Sequence, residues 1–294
     1  MKYLAIIGIL ILLFGCVLPG SNNANPNANK PSSQTQPSQT QPSQTQPSQT
    51  QPAQIQPTQN QSSQTQQQPV LSSKEISYDA SGWTIYGTLY PGKDKASSKL
   101  IILVPGLGTT RDAYPLDFIS SLHDAVPDAM ILAIDPKGHG KSSNLGSWRD
   151  FDYSLFLDMR NDITAAKPYI VSKYPTVKQI YVVGASMGST SALLAGVKEK
   201  YITKVVMISP GIAFNNVDIT APGALDSYSQ QLLVVASSGD SYSSNSAYEI
   251  SSLTSKSQTT MKIYPGSAHG TDLFSGTKGD DTPLSNLLID FLSK

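Results

Sequence analysis

Gln179-Ile180-Tyr181-Val182-Val183-Gly184-Ala185-Ser186-Met187-Gly188-Ser189-Thr190-Ser191-Ala192 is the stretch on which the reading of this 294-residue chain turns. Four residues of β-branched and aromatic types, Ile180 to Val183, run straight into Gly184, and small residues then lead into an apolar-periodic segment. That order is strand, tight turn, helix, with Ser186 at the apex of the turn. So sharp a turn strains its apex residue and leaves no room for side chains two positions to either side, where the chain has Gly184 and Gly188. The hydroxyl then points out of the sheet at a helix N-terminus, where a serine can act as a nucleophile. Gly-x-Ser-x-Gly alone arises by chance in roughly one chain in ten of this length, at about 7% usage of each residue. The flanking strand and helix patterns therefore carry the weight, against the alternative of a glycine-rich turn made only for packing.

Outward from this stretch the chain divides into three parts. In residues 1–16, Met1-Lys2 gives a brief positive start, and a nearly unbroken apolar run from Leu4 ends in Leu13-Phe14-Gly15-Cys16. The run is shorter than the roughly 20 residues of a membrane span and has the shape of a secretory signal. Its Leu-x-Gly-Cys ending resembles a lipoprotein signal, in which the cysteine is lipidated and becomes the mature N-terminus. The expectation is a domain outside the cytoplasm, anchored to the membrane through Cys16, with an uncleaved anchor or an ordinary cleaved signal as alternatives. Cys16 is the only cysteine, so the folded part has neither disulfides nor thiolate metal ligands.

Residues 17–69 are dominated by Asn, Pro, Ser, Gln and Thr, with Ser-Gln-Thr-Gln-Pro repeated from Ser33. Such a composition buries too little to offset the entropy of ordering, so it reads as a disordered tether, reaching on the order of 40 Å as a coil. Asn60-Gln61-Ser62 matches a glycosylation sequon by pattern only. The 21 basic and 21 acidic residues cancel and form no basic stripe, which gives no reason to expect a nucleic-acid partner.

Residues 70–294 are enough for one domain with a large core. Residues 75–78 and 83–90 are β-like runs around Asp79-Ala80-Ser81-Gly82 and read as a hairpin. Apolar runs at 100–104, 129–134, 204–208 and 231–236 read as buried strands, and 259–264 as a further strand. Helical spacing is expected over 112–125, over 153–169 with a kink or restart near Lys167 because of Pro168, after Ser186, and over 245–253 and 283–291. Strands alternating with helices imply an α/β domain with a mostly parallel sheet and right-handed crossovers. Ligands bind such sheets at the carboxyl ends of the strands.

A serine nucleophile needs a base, and the base needs an orienting group. Of the three histidines, His269 follows the last strand in Pro265-Gly266-Ser267-Ala268-His269-Gly270 and is the leading candidate. His139 sits between two glycines, where its bland role is to fix turn geometry by hydrogen bonding. His123 lies in an expected helix, on its surface. Asp240, just after the run 231–236, is the leading orienting carboxylate; Asp272 is its rival, and Asp135 reads as structural. No phosphate-loop pattern or histidine cluster suggests a nucleotide, flavin or metal, so no cofactor is expected.

Ser186, Asp240 and His269 stand in the chain order of the α/β-hydrolase triad. With the Gly184–Gly188 elbow and Asp135-Pro136-Lys137-Gly138-His139-Gly140-Lys141-Ser142, residues 75–294 resemble an α/β-hydrolase, and within that superfamily the small serine esterases and dienelactone-hydrolase-like proteins. The resemblance implies oxyanion donors at the backbone N–H groups of Leu107 and Met187, Pro105-Gly106 standing where the family often has His-Gly. It implies acyl transfer on a small-molecule ester, with thioester or small amide hydrolysis, or a non-catalytic binding scaffold, as alternatives. The family often carries a lid between the strands at 204–208 and 231–236. Only residues 209–230 connect them here, which implies an open site, with Phe214, Leu225 and Tyr228 as candidate walls of an acyl pocket or as packing under a loop.

Overall fold

The computed structural model describes residues 71–94, 96–214, 217–219, 225 and 228–294. Cys16 and its apolar run, the expected tether and Asn60 lie outside them. Among the described residues no helix is long and apolar enough to cross a membrane.

The hairpin forms from β1 (Lys74–Ala80) and β2 (Trp83–Tyr90), paired antiparallel across Ser81-Gly82. Both turn residues have positive φ, 56° and 83°, as a two-residue turn matched to strand twist requires. The apolar runs become β3 (Lys99–Val104), β4 (Ala129–Ile134), β5 (Gln179–Ala185) and β6 (Ile202–Ile208). A two-residue pair, β7 (Ala213–Phe214) and β8 (Val217–Asp218), follows as a separate ladder, then β9 (Gln231–Ser237) and β10 (Thr259–Tyr264). The eight-stranded sheet has the order β1-β2-β4-β3-β5-β6-β9-β10. Along the order from β4 to β10 all pairings are parallel; β2 alone runs against the rest, paired antiparallel with both β1 and β4.

Because side chains alternate across a strand, each buried strand feeds two cores. Leu100, Ile102 and Val104 of β3 face one side; Ile101 and Leu103 face the other. The first side is covered by α3 (Arg160–Thr164), α4 (Ala166–Lys173), α5 (Met187–Lys198) and α6 (Ser241–Leu253). The second is covered by α1 (Leu116–Ala125), α7 (Leu273–Gly276) and α8 (Leu284–Ser293). The short α2 (Tyr153–Asp158) places Phe156 in a smaller cluster with Met159, Met187 and Val217. The buried Tyr114 hydroxyl lies 3.0 Å from the carbonyls of both Val104 and Val183, tying the ends of β3 and β5 together.

Several local expectations change. The helix expected over 112–125 starts at Leu116, because Pro115 holds Tyr114 extended (φ −82°, ψ 126°) and leaves a separate 3-10 turn at Arg111–Ala113. The restart near Lys167 is present at Ala166, but the segment also bends at Met159. His123 is buried rather than exposed, its Nε2 lying 2.7 Å from the carbonyl of Pro91. Leu225 and Tyr228 pack into the large core beside α5 and wall no acyl pocket.

Candidate active site

Ser186 caps the N-terminus of α5 with φ 52° and ψ −121°, a strained conformation for a residue with a side chain. The surroundings enforce it. A Cβ on Gly184 would come within 2.2 Å of the Gly188 carbonyl oxygen, and a Cβ on Gly188 within 2.4 Å of the carbonyl oxygens of Val104 and Pro105. The Ser186 N–H donates to the Ile208 carbonyl at 2.8 Å, fixing the apex against the end of β6.

His269 and Asp240 arrive from loops beyond the ends of β10 and β9. Those loops are pinned together by the Ser238 N–H on the Tyr264 carbonyl (2.8 Å) and the Gly239 N–H on the Gly266 carbonyl (2.7 Å). Asp240 then serves two partners. One carboxylate oxygen accepts from the Ser243 N–H at 3.3 Å as the cap of α6, and the other lies 2.6 Å from His269 Nδ1. Since a carboxylate only accepts, Nδ1 carries the proton, and Nε2 is left to accept from the Ser186 hydroxyl at 2.9 Å. Burial works to raise the Asp240 carboxyl, but hydrogen bonds from His269 and Ser243 outweigh it and the net shift is downward, so Asp240 stays an anion facing the imidazole. The rival Asp272 is exposed, and only its backbone N–H meets His269, at the His269 carbonyl.

The proposed oxyanion donors sit beside the hydroxyl. Met187 is the first residue of α5, so its N–H has no acceptor within the helix. Leu107 lies in the loop after β3, which passes so near Ser186 that a Cβ on Gly106 would stand 3.2 Å from the Ser186 Cβ. Leu107, Ser186, Met187 and His269 line one cavity of about 140 Å³, walled further by Thr190 and Phe214. A larger hollow of about 280 Å³ opens at the amino ends of β9 and β10 and shares no residue with it.

Residues 95–236 match the family model described as serine aminopeptidase, S33. The match takes in Ser186 and stops short of Asp240 and His269. No curated protein matches the sequence. Solved structures similar to the chain include a thermostable carboxyl esterase from Bacillus coagulans, at 14% identity and TM-score 0.60, covering 75% of this chain and 98% of that one. A Pyrococcus furiosus esterase matches at 17% identity and TM-score 0.59, covering 76% and 92%. A dienelactone hydrolase from Anabaena variabilis matches at 15% identity and TM-score 0.54, covering 76% and 95%. The chain has the α/β-hydrolase fold.

Two features of the cavity have no signal in the sequence around them. Ser209, after β6, is buried and has φ 49°, and its hydroxyl accepts the N–H of Gly270, the residue following His269, at 2.8 Å. Nothing in the neighbouring residues signals that role, because the partner lies 61 positions away. Tyr242, on the first turn of α6, bonds through its hydroxyl to both the carbonyl and the N–H of Ala213, holding β7 beside the cavity. Phe214 of β7 packs edge-on against Phe156, with ring centroids 5.4 Å apart. Of the three candidate wall residues, it alone lines the cavity. Among the described residues no cluster of three or more His, Cys, Asp or Glu side chains could hold a metal ion.

Proposed function

We propose that the enzyme hydrolyses short-chain carboxylic esters through an acyl-enzyme on Ser186. The observation carrying this reading is the unbroken hydrogen-bonded line from Ser186 through His269 (2.9 Å) to Asp240 (2.6 Å) at the mouth of a largely apolar cavity. His269 Nε2 takes the hydroxyl proton as Oγ attacks the ester carbonyl, and the Leu107 and Met187 N–H groups stabilise the oxyanion. Each such donor is worth about 10²- to 10³-fold in rate. The proton then passes from His269 to the departing alcohol, and water, deprotonated by the same nitrogen, releases the acid. Asp240 holds the imidazole in the tautomer that each step requires.

Cavity size supports short acyl groups. At about 140 Å³ the cavity is well below the roughly 300–1,000 Å³ of common small-molecule sites. The match to the serine aminopeptidase family favours a second reading, peptide hydrolysis from a free N-terminus. Such a substrate presents an α-ammonium group, which calls for a carboxylate, and among the described residues lining the cavity there is none. Esters of uncharged acyl groups fit it better.

The test is turnover of nitrophenyl acetate and butyrate, with fluorophosphonate labelling, by wild-type and Ser186→Ala protein. Loss of both signals in the variant is expected, and labelling that survives the substitution overturns the assignment. We also propose that Cys16 is lipidated and residues 17–69 hold the enzyme outside the cytoplasm, a reading supported by the apolar run ending in Leu-x-Gly-Cys. Wild-type protein should then partition into detergent and Cys16→Ser protein into water; identical partitioning overturns the anchor.

A further inference from the structure

The segment from Asp135 to Ser142 takes no part in the proton relay, yet it is stitched to its surroundings on two sides. The Asp135 carboxylate accepts the N–H groups of Arg111 (2.9 Å) and Lys141 (3.0 Å), and the Ser142 hydroxyl accepts that of Tyr86 (2.8 Å). Between them, His139 is 3% exposed and bonded at both ring nitrogens. Its Nδ1 lies 2.9 Å from the Lys137 carbonyl, which can only accept, so the proton is on Nδ1. Nε2 therefore presents a lone pair, and it accepts the N–H of Gly108 at 3.0 Å. Trp148 stacks on the ring at 5.8 Å and 12°, fixing its plane.

Gly108 directly follows Leu107, and the turn containing both is closed from its other end. The N–H and hydroxyl of Thr109 both donate to the Gly106 carbonyl, at 3.2 and 2.7 Å. The Leu107–Gly108 peptide is thus held at its N–H by His139, and the orientation of the preceding peptide, which carries the Leu107 N–H, follows from it. We propose that neutral His139 is a positioning residue for this loop, its Nε2 lone pair on Gly108 aiming the Leu107 N–H at the substrate's developing oxyanion. The inference rests on the reading of Leu107 as an oxyanion donor.

The groups around the ring favour the neutral form. Burial is the largest influence and lowers the imidazole from its ordinary value; Asp135 on the same turn pulls the other way, and Arg149 on the next segment adds to the lowering. The Lys137 ammonium is engaged by Asp158 and Asp162. Protonation would turn Nε2 into a donor confronting the Gly108 N–H, and the latch would open.

Three variants of the full chain, assayed on nitrophenyl butyrate, test this. His139→Gln keeps an acceptor within reach of Gly108, His139→Asn keeps only the shorter reach toward Lys137, and His139→Leu keeps neither. Leu and Asn should lower kcat by about 10²-fold, the scale of one lost oxyanion donor. KM should stay within about threefold, since the interaction is made chiefly in the transition state. Gln should recover most of the lost kcat, and every variant should label to completion with fluorophosphonate. Absent labelling of the wild type would sink the nucleophile reading itself. With labelling intact, a Leu variant within about twofold of wild-type kcat, or a Gln variant as slow as Leu and Asn, overturns only the latch. Should the Leu variant not fold, the contrast between Gln and Asn decides alone.

Discussion

Two acid–base clusters in this fold use similar side chains and face opposite surroundings. In one, His269, with half its side chain exposed, stands between Ser186 and an Asp240 that is 14% exposed. In the other, Lys137 and Asp162 are sealed at 0% and 1% exposure, with Asp158 at 30% beside them. The first opens on a cavity and leaves a lone pair and a hydroxyl proton to exchange with an incoming molecule. The second is closed to solvent at Lys137 and Asp162. Its Lys137 reaches both carboxylates, and its backbone N–H bonds Asp162 at 2.8 Å, so the cluster fastens the turn bearing His139 to α2 and α3. What separates the cluster proposed to react from the buried one is access, not residue type.

The sharpest way to break that contrast is Asp240→Asn, which removes the tautomer control of His269 while leaving the cap on α6 an acceptor. By analogy with other triads, kcat should fall by about 10⁴-fold with the melting temperature little changed, and Asp272→Asn should stay within about twofold of wild type. An equal or larger loss in the Asp272 variant would exchange their roles.

Lys137→Met should do the reverse, costing about 3 kcal/mol of stability because it strips buried carboxylates of their partner, while the folded fraction keeps its kcat. The cost should also depend on pH. Burial, against the pull of Lys137, pushes Asp162 up to about 7. The folded chain therefore retains a proton that the unfolded chain releases above its ordinary value near 4, and this contribution to stability declines as pH rises from about 4 to 7. Removing Lys137 strengthens that decline, so urea unfolding should show a larger penalty at pH 8 than at pH 5. A penalty that shrinks with pH would contradict it.

The smallest expected effect is on selectivity. Phe214→Ala should extend the open cluster's cavity and raise the octanoate-to-butyrate ratio of kcat/KM by about tenfold, the lower end of what one methylene is worth in an apolar pocket. An unchanged ratio would place the acyl group elsewhere.

These comparisons also show which parts of the molecule its sequence discloses. The strand at 179–185, the elbow glycines and the runs at 129–134 and 259–264 are legible because local sterics and alternation determine them. Asp240 and His269 are legible because each closes a strand at the same edge of a parallel sheet. The bend at Met159 is invisible to periodicity, since that residue keeps helical angles (φ −55°, ψ −24°) and the spacing of apolar residues runs through it. His123, Ser209 and His139 bond to groups 32, 61 and 31 positions away, and no local pattern encodes such a partner. Leu225 and Tyr228 look like Phe214 by composition, yet both pack into the large core, and no local pattern separates them from it.

Three non-glycine residues among those described have positive φ, and two of them, Ser186 and Ser209, line the cavity of the proposed active site. Each such conformation costs of order 1–3 kcal/mol, and glycine would adopt either without that cost. A library selected for heat resistance alone, with no assay of turnover, would therefore be drawn toward glycine at these two positions. Its hardiest survivors would keep the sheet and lose the reaction.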